Sequence, residues 1–287
     1  MTTKLILVPV YGTPTDAAAL DSAAAAAHRF GAHVEALHVR RNAADAVPVV
    51  GEGLSGPMVE TIIEAAEQES VNRRNAARKT FEAWLERSKM RQAAESASGP
   101  GASWREMSGR PEAIVPRVAR FADLVVAARL GKDELDVTQS ITIEATIFAC
   151  GRPILLAPTE PAKPSSGIAA IAWNGSTEAT RAVAWALPFL AGAREVKIMT
   201  VLEQPEMAED AEGLVGYLQR HGFNATVSPY EADWRLIGEA LLGEAEKAPV
   251  DLLVLGAYSH SRLRRLVLGG VTAKVLEGAK MPVLMVH

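Results

Sequence analysis

The chain has 287 residues, of which 48% are hydrophobic and 22% charged, and this composition excludes a disordered or fibrous protein. The length is sufficient for two domains, each with its own core. The formal net charge of −4 argues against a broad nucleic-acid-binding face, which would be basic. The single cysteine, Cys150, excludes an intrachain disulfide framework and a zinc site built from several cysteines.

The amino-terminal end and the apolar runs predict a cytoplasmic protein. The opening segment holds one basic residue and a short apolar run, which is less than the apolar core of a secretory signal peptide. No run of the sequence approaches the roughly 18 apolar residues that a membrane-spanning helix needs. The single cysteine also fits a reducing compartment. We therefore expect neither a membrane nor a nucleic acid among the partners.

In chain order, the most informative feature is a repeated pattern of elements. Each half opens with a short apolar run, continues with an Ala-rich helical segment and reaches a second apolar run. Two further apolar runs close each half, separated by a helical segment. The corresponding segments, first half and then second, are Lys4–Val10 and Ile168–Trp173, Asp16–Phe30 and Glu178–Leu190, His33–Val39 and Glu195–Val201, Asp123–Ala128 and Asp251–Gly256, and Arg152–Ala157 and Met281–Val286.

Short apolar runs that alternate with helical segments are typical of βαβ units and a parallel sheet. Parallel strands read as continuous apolar runs because they are buried on both faces. These runs predict an α/β protein with two tandem doubly wound, five-stranded, parallel-sheet domains. Each domain is expected to be Rossmann-like, with right-handed crossovers.

Composition also indicates the domain boundaries. Residues 1–158 are predicted as the first domain and residues 167–287 as the second, joined by a Pro- and Ser-rich linker at 159–166. The first domain carries an extended crossover over about residues 40–101 that the second domain lacks. Two interpretations of this segment stay open: a lengthened surface crossover, and a lid or arm that binds a partner.

Ligands of an open parallel sheet bind beyond the carboxyl ends of the strands. In the second half, residues 173–176 and residues 256–272 occupy such positions. Gly256 ends a strand where the backbone turns or approaches a ligand closely. Gly269-Gly270 precedes a predicted helix near Val271, and free amides at a helix start form an anion site. Arginines between the glycines could meet phosphate oxygens, although a simple turn with a solvated face would show the same pattern.

At this loop the chain resembles the universal stress protein family. The family's ATP-binding members carry Gly, two residues, Gly, nine residues, and then Gly followed by Ser or Thr. Gly256 fills the first place and Gly269 the third, whereas Ser259 replaces the second glycine and Gly270 the hydroxyl residue. Asn174 stands where the family usually has an Asp that engages the adenosine part of the ligand.

The resemblance covers both halves and implies an adenine nucleotide α-hydrolase-like fold, with the halves packed as an intrachain pseudo-dimer that could assemble further into a homo-oligomer. It also implies that ATP, with Mg²⁺, binds in the second half. Thr272 could replace the lost hydroxyl, and His260 could contact phosphate. The implied binding residues are Ala172, Trp173, Asn174, Val201, Leu255, Gly256, Ser259, His260, Gly269, Gly270, Val271 and Thr272.

The first half departs further from the family pattern. Tyr11 occupies the Asp place, where a phenol would block an adenine pocket. Ala128 takes the first glycine place and Gly131 the second, while Ile141-Thr142 replaces Gly-Ser. A β-branched apolar residue does not suit a tight phosphate loop. We therefore expect no nucleotide in the first half.

The function predicted first is a non-enzymatic stress-response or signalling module that binds an adenine nucleotide. We expect no catalytic residue and no metal-ligand cluster. One alternative is a nucleotide-free interaction protein that acts by docking a partner, whose identity the sequence does not give. Another is an adenosine-nucleotide hydrolase, which is disfavoured because no Ser-Gly-Gly-x-Asp-Ser loop follows the opening strand of either half.

Overall fold

A computed structural model describes residues 3–42, 56–93, 100–129, 137–158, 165–201, 205–233, 236–258 and 270–287. The chain divides into two compact units. Of the described residues, the first unit comprises 3–128 and 137–150, and the second comprises 129 and 151–287. No helix in the described ranges is long and apolar enough to cross a membrane.

The first unit has four parallel strands in the order β3-β2-β1-β4. The inner strands β1 and β4 are apolar and mostly buried, as expected for parallel strands covered by helices, whereas the outer strand β3 carries charged and exposed residues. In chain order its elements are β1 (Leu5–Val10), α1 (Asp16–Phe30), β2 (His33–Arg40), α2 (Gly56–Ser88), β3 (Gly101–Ser108), α3 (Pro111–Ala119), β4 (Leu124–Ala127) and α4 (Val137–Ala149).

Small and aromatic side chains anchor the helices of this unit. Helix α1 buries Ala19, Ala23 and Ala27 completely, so its backbone approaches the sheet closely. Within the predicted crossover of the first domain lies α2, a helix of 33 residues. Phe81 and Trp84 of α2 are fully buried, and burial of such rings contributes about 1.5–3 kcal/mol each.

The second unit has six strands in the order β5-β10-β9-β6-β7-β8. All the pairs from β10 to β8 are parallel. Its elements are β5 (Ile154–Leu156), β6 (Ile168–Ala172), α5 (Thr177–Leu190), β7 (Glu195–Thr200), α6 (Pro205–Arg220), β8 (Ala225–Pro229), α7 (Ile237–Lys247), β9 (Leu252–Gly256), α8 (Val271–Gly278) and β10 (Val283–Val286).

The α/β fold class with parallel-dominated sheets is confirmed, but β5 differs from the expected arrangement. It comes from the first half of the sequence, yet it pairs antiparallel with β10 in the second unit, with Leu155 opposite Leu284. The apolar run of β5 is buried throughout, and such a run carries no alternation that would reveal strand direction. This pair adds one antiparallel contact to the predicted parallel-dominated fold and leaves the fold class as predicted.

Candidate functional site

The carboxyl edge of the second unit's sheet brings several predicted site residues together. Ala172 at the end of β6 pairs with Met199 of β7 on one side and with Leu255 of β9 on the other. The chain therefore leaves these three strands side by side, at Trp173, at Thr200 and at Gly256. This is the edge at which ligands of open α/β sheets bind.

Asn174 organises the loop between β6 and α5. Its side-chain oxygen accepts hydrogen bonds from the Ser176 amide at 3.2 Å and the Ser176 hydroxyl at 2.7 Å. The Ser176 hydroxyl oxygen in turn accepts from the Ala179 amide at 3.1 Å and caps α5. The oxygen expected to contact a ligand thus already accepts internal hydrogen bonds. Asn174 is exposed, at the mouth of the candidate site.

Gly256 is required by packing within the protein. A Cβ added there would overlap the amide nitrogen of Ala179 and lie 2.5 Å from the carbonyl carbon of Glu178. The end of β9 therefore approaches the backbone of the first turn of α5 too closely for any side chain. The close approach predicted from the sequence is present, but the group that approaches belongs to α5.

At the start of α8, the Thr272 hydroxyl forms a hydrogen bond within the protein, and the N-cap residue has no side chain that could cap the first turn. Thr272 is buried, and its hydroxyl oxygen accepts a hydrogen bond from the Tyr258 amide at 3.1 Å. Tyr258 adopts the left-handed conformation, at φ +61°, which costs a non-glycine residue about 1–2 kcal/mol. Gly270 is the N-cap residue and provides no side-chain cap. The amides of the first turn therefore suit an anion.

Two polar atoms at this edge were not expected from the sequence. The Trp173 indole Nε1 and the Thr200 hydroxyl are buried, and neither has a hydrogen-bond partner in the described part of the chain. Thr200 is fully buried. A buried polar group without a partner costs about 1–3 kcal/mol. The signal that could have identified Thr200 is its position as a polar residue at the carboxyl end of β7, after Ile198 and Met199.

The remaining predicted residues contribute less. Leu255 is buried within β9, so only its backbone faces the edge. Ala172, Val201 and Val271 are half-buried at the ends of their elements. The predictions at Ser259, His260 and Gly269 fall outside the described residues.

The corresponding loop of the first unit is closed by an internal carboxylate. Asp16, fully buried, accepts hydrogen bonds from the amides of Tyr11, Gly12 and Thr13 at 3.0, 2.7 and 3.2 Å. Burial raises the pKa of Asp16 to about 6, and the amide hydrogen bonds oppose this rise. When Tyr11 is aligned with Asn174, Asp16 aligns with Ala179. The two units therefore order this loop by different means.

The described residues offer little for metal binding or for chemistry at the cysteine. Among the described residues, no group of His, Cys, Asp and Glu is placed to hold a metal ion. Cys150 is buried at the end of α4, where the thiol is shielded from solvent.

The open parallel sheet with strand ends meeting at one polar edge defines a Rossmann-like α/β protein. Residues 169–287 match the sequence model of the Universal stress protein family. The chain is also 44% identical over 62 residues to a universal stress protein of Synechocystis sp., and this match spans 19% of the chain and 22% of that protein. The second unit thus carries the sequence pattern of the Universal stress protein family.

Two crystal structures share the fold over nearly the whole chain. A universal stress protein from Archaeoglobus fulgidus has a TM-score of 0.70 and 14% identity, over 98% of this chain and 95% of that one. A functionally unknown protein from Pseudomonas aeruginosa PAO1 has a TM-score of 0.58 and 14% identity, over 99% and 92%. These similarities show the fold.

Proposed function

We propose that this protein is a stress-response module whose second unit binds an adenine nucleotide, ATP with Mg²⁺, at the carboxyl edge of its sheet. The match of residues 169–287 to the Universal stress protein family supports the physiological role. The observation that carries the binding proposal is the pair of buried polar atoms, Trp173 Nε1 and the Thr200 hydroxyl, at the ends of neighbouring strands.

The two atoms offer what an adenosine moiety requires. The indole N–H is a donor, and the hydroxyl is both a donor and an acceptor. Ring nitrogens, the exocyclic amine of adenine and the ribose hydroxyls are complementary to these groups. Since both atoms are already desolvated, a ligand that reaches them would recover the cost of leaving them without a partner.

The phosphate groups are assigned to the start of α8. Gly270 leaves the first-turn amides without a side-chain cap, and the helix dipole favours negative charge there. No carboxylate cluster in the described residues could hold Mg²⁺. The ion would therefore be held mainly by the nucleotide phosphates and water, as is usual for Mg²⁺. We expect phosphate release to stay at the rate of a protein-free control.

Thr200→Val tests the adenosine assignment. The substitution keeps the shape and removes an unsatisfied buried hydroxyl, so the nucleotide-free protein should gain about 1 kcal/mol of unfolding free energy. The same change should weaken ATP binding about fivefold, as measured by titration calorimetry. Thr226→Val is the matched control, since Thr226 is exposed on β8. Unchanged ATP affinity in T200V would contradict the assignment.

Gly270→Ser tests the phosphate assignment in the opposite direction. A Cβ at Gly270 meets nothing within 4 Å, and its backbone, at φ −65° and ψ 161°, suits a serine N-cap. The new hydroxyl adds one donor beside the helix amides. ATP should bind about fivefold more tightly, with unfolding free energy changed by only a few tenths of a kcal/mol. Equal or weaker ATP binding would contradict a phosphate position at this helix.

A nucleotide-free docking role is the second candidate function. Large apolar side chains are exposed in the first unit, and they favour contact with a protein partner. Phe121 is 81% exposed, and Val137 and Ile141 of α4 are also exposed. Absence of ATP binding at millimolar concentration, in wild type and in G270S alike, would leave this role as the better one.

A further inference from the structure

The first unit contains a cavity at the carboxyl ends of β1 and β2, beneath α2. Its volume is about 220 Å³, below the roughly 300–1,000 Å³ of sites for drug-sized ligands and cofactors. Several elements contribute to the lining of this cavity, which includes Tyr11, Val39, Arg40, Arg41, Ala66 and Arg73.

Positive charge dominates the wall of this cavity. Arg40 and Arg41 come from the end of β2, and Arg73 comes from α2. The one carboxylate of the lining belongs to Glu69, whose Oε1 accepts from Arg73 Nε at 2.7 Å. Arg40 forms no ion pair with any residue that the structure describes. Three guanidinium groups from two elements therefore face one carboxylate.

These arginines suit a phosphate or carboxylate group, because a guanidinium donates paired hydrogen bonds to either anion. Arg41 Nη2 lies 3.7 Å from Glu112 Oε2, beyond hydrogen-bond distance. That ion pair is weak and half-exposed. An anion that enters the cavity can therefore replace Glu112 at Arg41 with little loss of free energy.

The rest of the wall is mixed: His38, Asn42, Ser70 and Thr138 are polar, and the other lining residues supply apolar surface. Tyr11 and Val39 are buried, and Ala66 and Pro111 add small apolar surfaces. A ligand that matches both parts has one anionic group and a compact apolar body. The cavity is too small for a whole nucleotide.

The loop amides that hold phosphate in many α/β proteins are already occupied here. The Asp16 carboxylate accepts the amides of Tyr11, Gly12 and Thr13. A Cβ at Gly12 would overlap the carbonyl oxygen of Arg73, so α2 packs directly on this loop. An anion in the cavity must therefore be bound by the arginine side chains.

We propose that the first unit binds a small organic phosphate, with its phosphate on Arg40, Arg41 and Arg73 and its apolar body against Tyr11 and Val39. This site is separate from the nucleotide site proposed above. It also gives a functional reason for α2, which supplies one wall of the cavity.

The test titrates the full-length protein with phenyl phosphate. Arg40→Gln and Arg73→Gln should each weaken binding at least tenfold, since each removes a charge-assisted contact. Glu69→Gln should tighten binding several-fold, because it removes the carboxylate that competes for Arg73. Arg87→Gln is the matched control: Arg87 is on α2 but pairs with Asp21 outside the cavity, and its loss should leave binding unchanged.

Additional measurements separate this site from nonspecific anion binding and from the nucleotide site. Inorganic phosphate should bind more weakly than phenyl phosphate, because it lacks the apolar body. Ala66→Phe should block phenyl phosphate by filling the cavity, while leaving ATP binding as in wild type. Equal affinity for wild type, R40Q and R73Q would overturn the proposal, and so would displacement of phenyl phosphate by stoichiometric ATP.

Discussion

Replacement of Asp16 by alanine is expected to lower the free energy of unfolding by about 3–5 kcal/mol. The carboxylate accepts three backbone amides in a fully buried position. Alanine would leave those donors without partners and would release the turn between β1 and α1. Urea denaturation at pH 7.5 measures this loss. A change below about 1 kcal/mol would show that water replaces the carboxylate.

Asp16→Asn is the matched control for this prediction. The amide oxygen can occupy the position of Asp16 Oδ2 and accept the three amides there. Its NH₂ then takes the Oδ1 position, 3.3 Å from the Thr13 hydroxyl but also 3.1 Å from the Tyr11 amide nitrogen, which is a donor. We expect less than half of the loss seen in D16A. The two variants together separate the effect of hydrogen-bond acceptance from that of side-chain charge.

The pH dependence provides an independent check on Asp16. Its folded-state pKa, about 6, lies above the ordinary aspartate value of 3.8, so the folded state binds the proton more tightly. Protonation of Asp16 therefore adds stability that is fully present below about pH 4 and is lost as the pH rises through about 6, whereas the amide hydrogen bonds to the carboxylate persist at pH 7.5. The difference corresponds to about 3 kcal/mol. Relative to D16N, wild type should lose stability across this window, and parallel profiles would contradict the raised pKa.

Replacement of Gly256 by alanine is expected to cost about 3 kcal/mol or more. The added methyl group would overlap the backbone of Ala179 and Glu178, which cannot move aside as a flexible side chain can. Strand β9 pairs on both sides, with β10 and with β6, so it cannot shift easily. We also expect weaker ATP binding, because the first turn of α5 would be displaced beside Asn174.

Gly243→Ala is the control for G256A. Gly243 lies in α7, where a Cβ would meet nothing within 4 Å. Alanine should stabilise this helix by up to about 1 kcal/mol. Thermal unfolding of both variants gives the comparison. A G256A protein as stable as wild type would mean that the β9–α5 contact relaxes without cost.

Most of the fold could be predicted because buried parallel strands and Ala-rich helices have distinct sequence patterns. Helix α1 begins and ends at the predicted residues, Asp16 and Phe30, and β9 ends at Gly256 as predicted. The pairing of β5 with β10 could not be predicted. Its apolar run fits a parallel or an antiparallel neighbour equally well, and only the pairing with β10 decides between them.

The candidate site was predicted in position more than in detail. The sequence selects Asn174, Gly256 and Thr272 for ligand contact, which stays a prediction, and each of them also has an internal contact at this edge. Sequence spacing indicates which loops meet, but it does not show which polar atoms are already engaged. The sequence does not identify Thr200 for the same reason. Its hydroxyl becomes a candidate for ligand binding only when the structure shows that it is buried without a described partner.

The antiparallel pairing of β5 with β10 determines where this protein can be divided. A fragment that begins after the Pro- and Ser-rich linker would retain β10 but lose β5, so β10 would become a bare outer strand with unpaired backbone groups. An exposed apolar edge strand of this kind pairs with strands of other molecules and promotes aggregation. A fragment that begins at Gly151 keeps β5 and its pairing. The boundary between the two units therefore lies at the end of α4, upstream of the segment that composition alone selects.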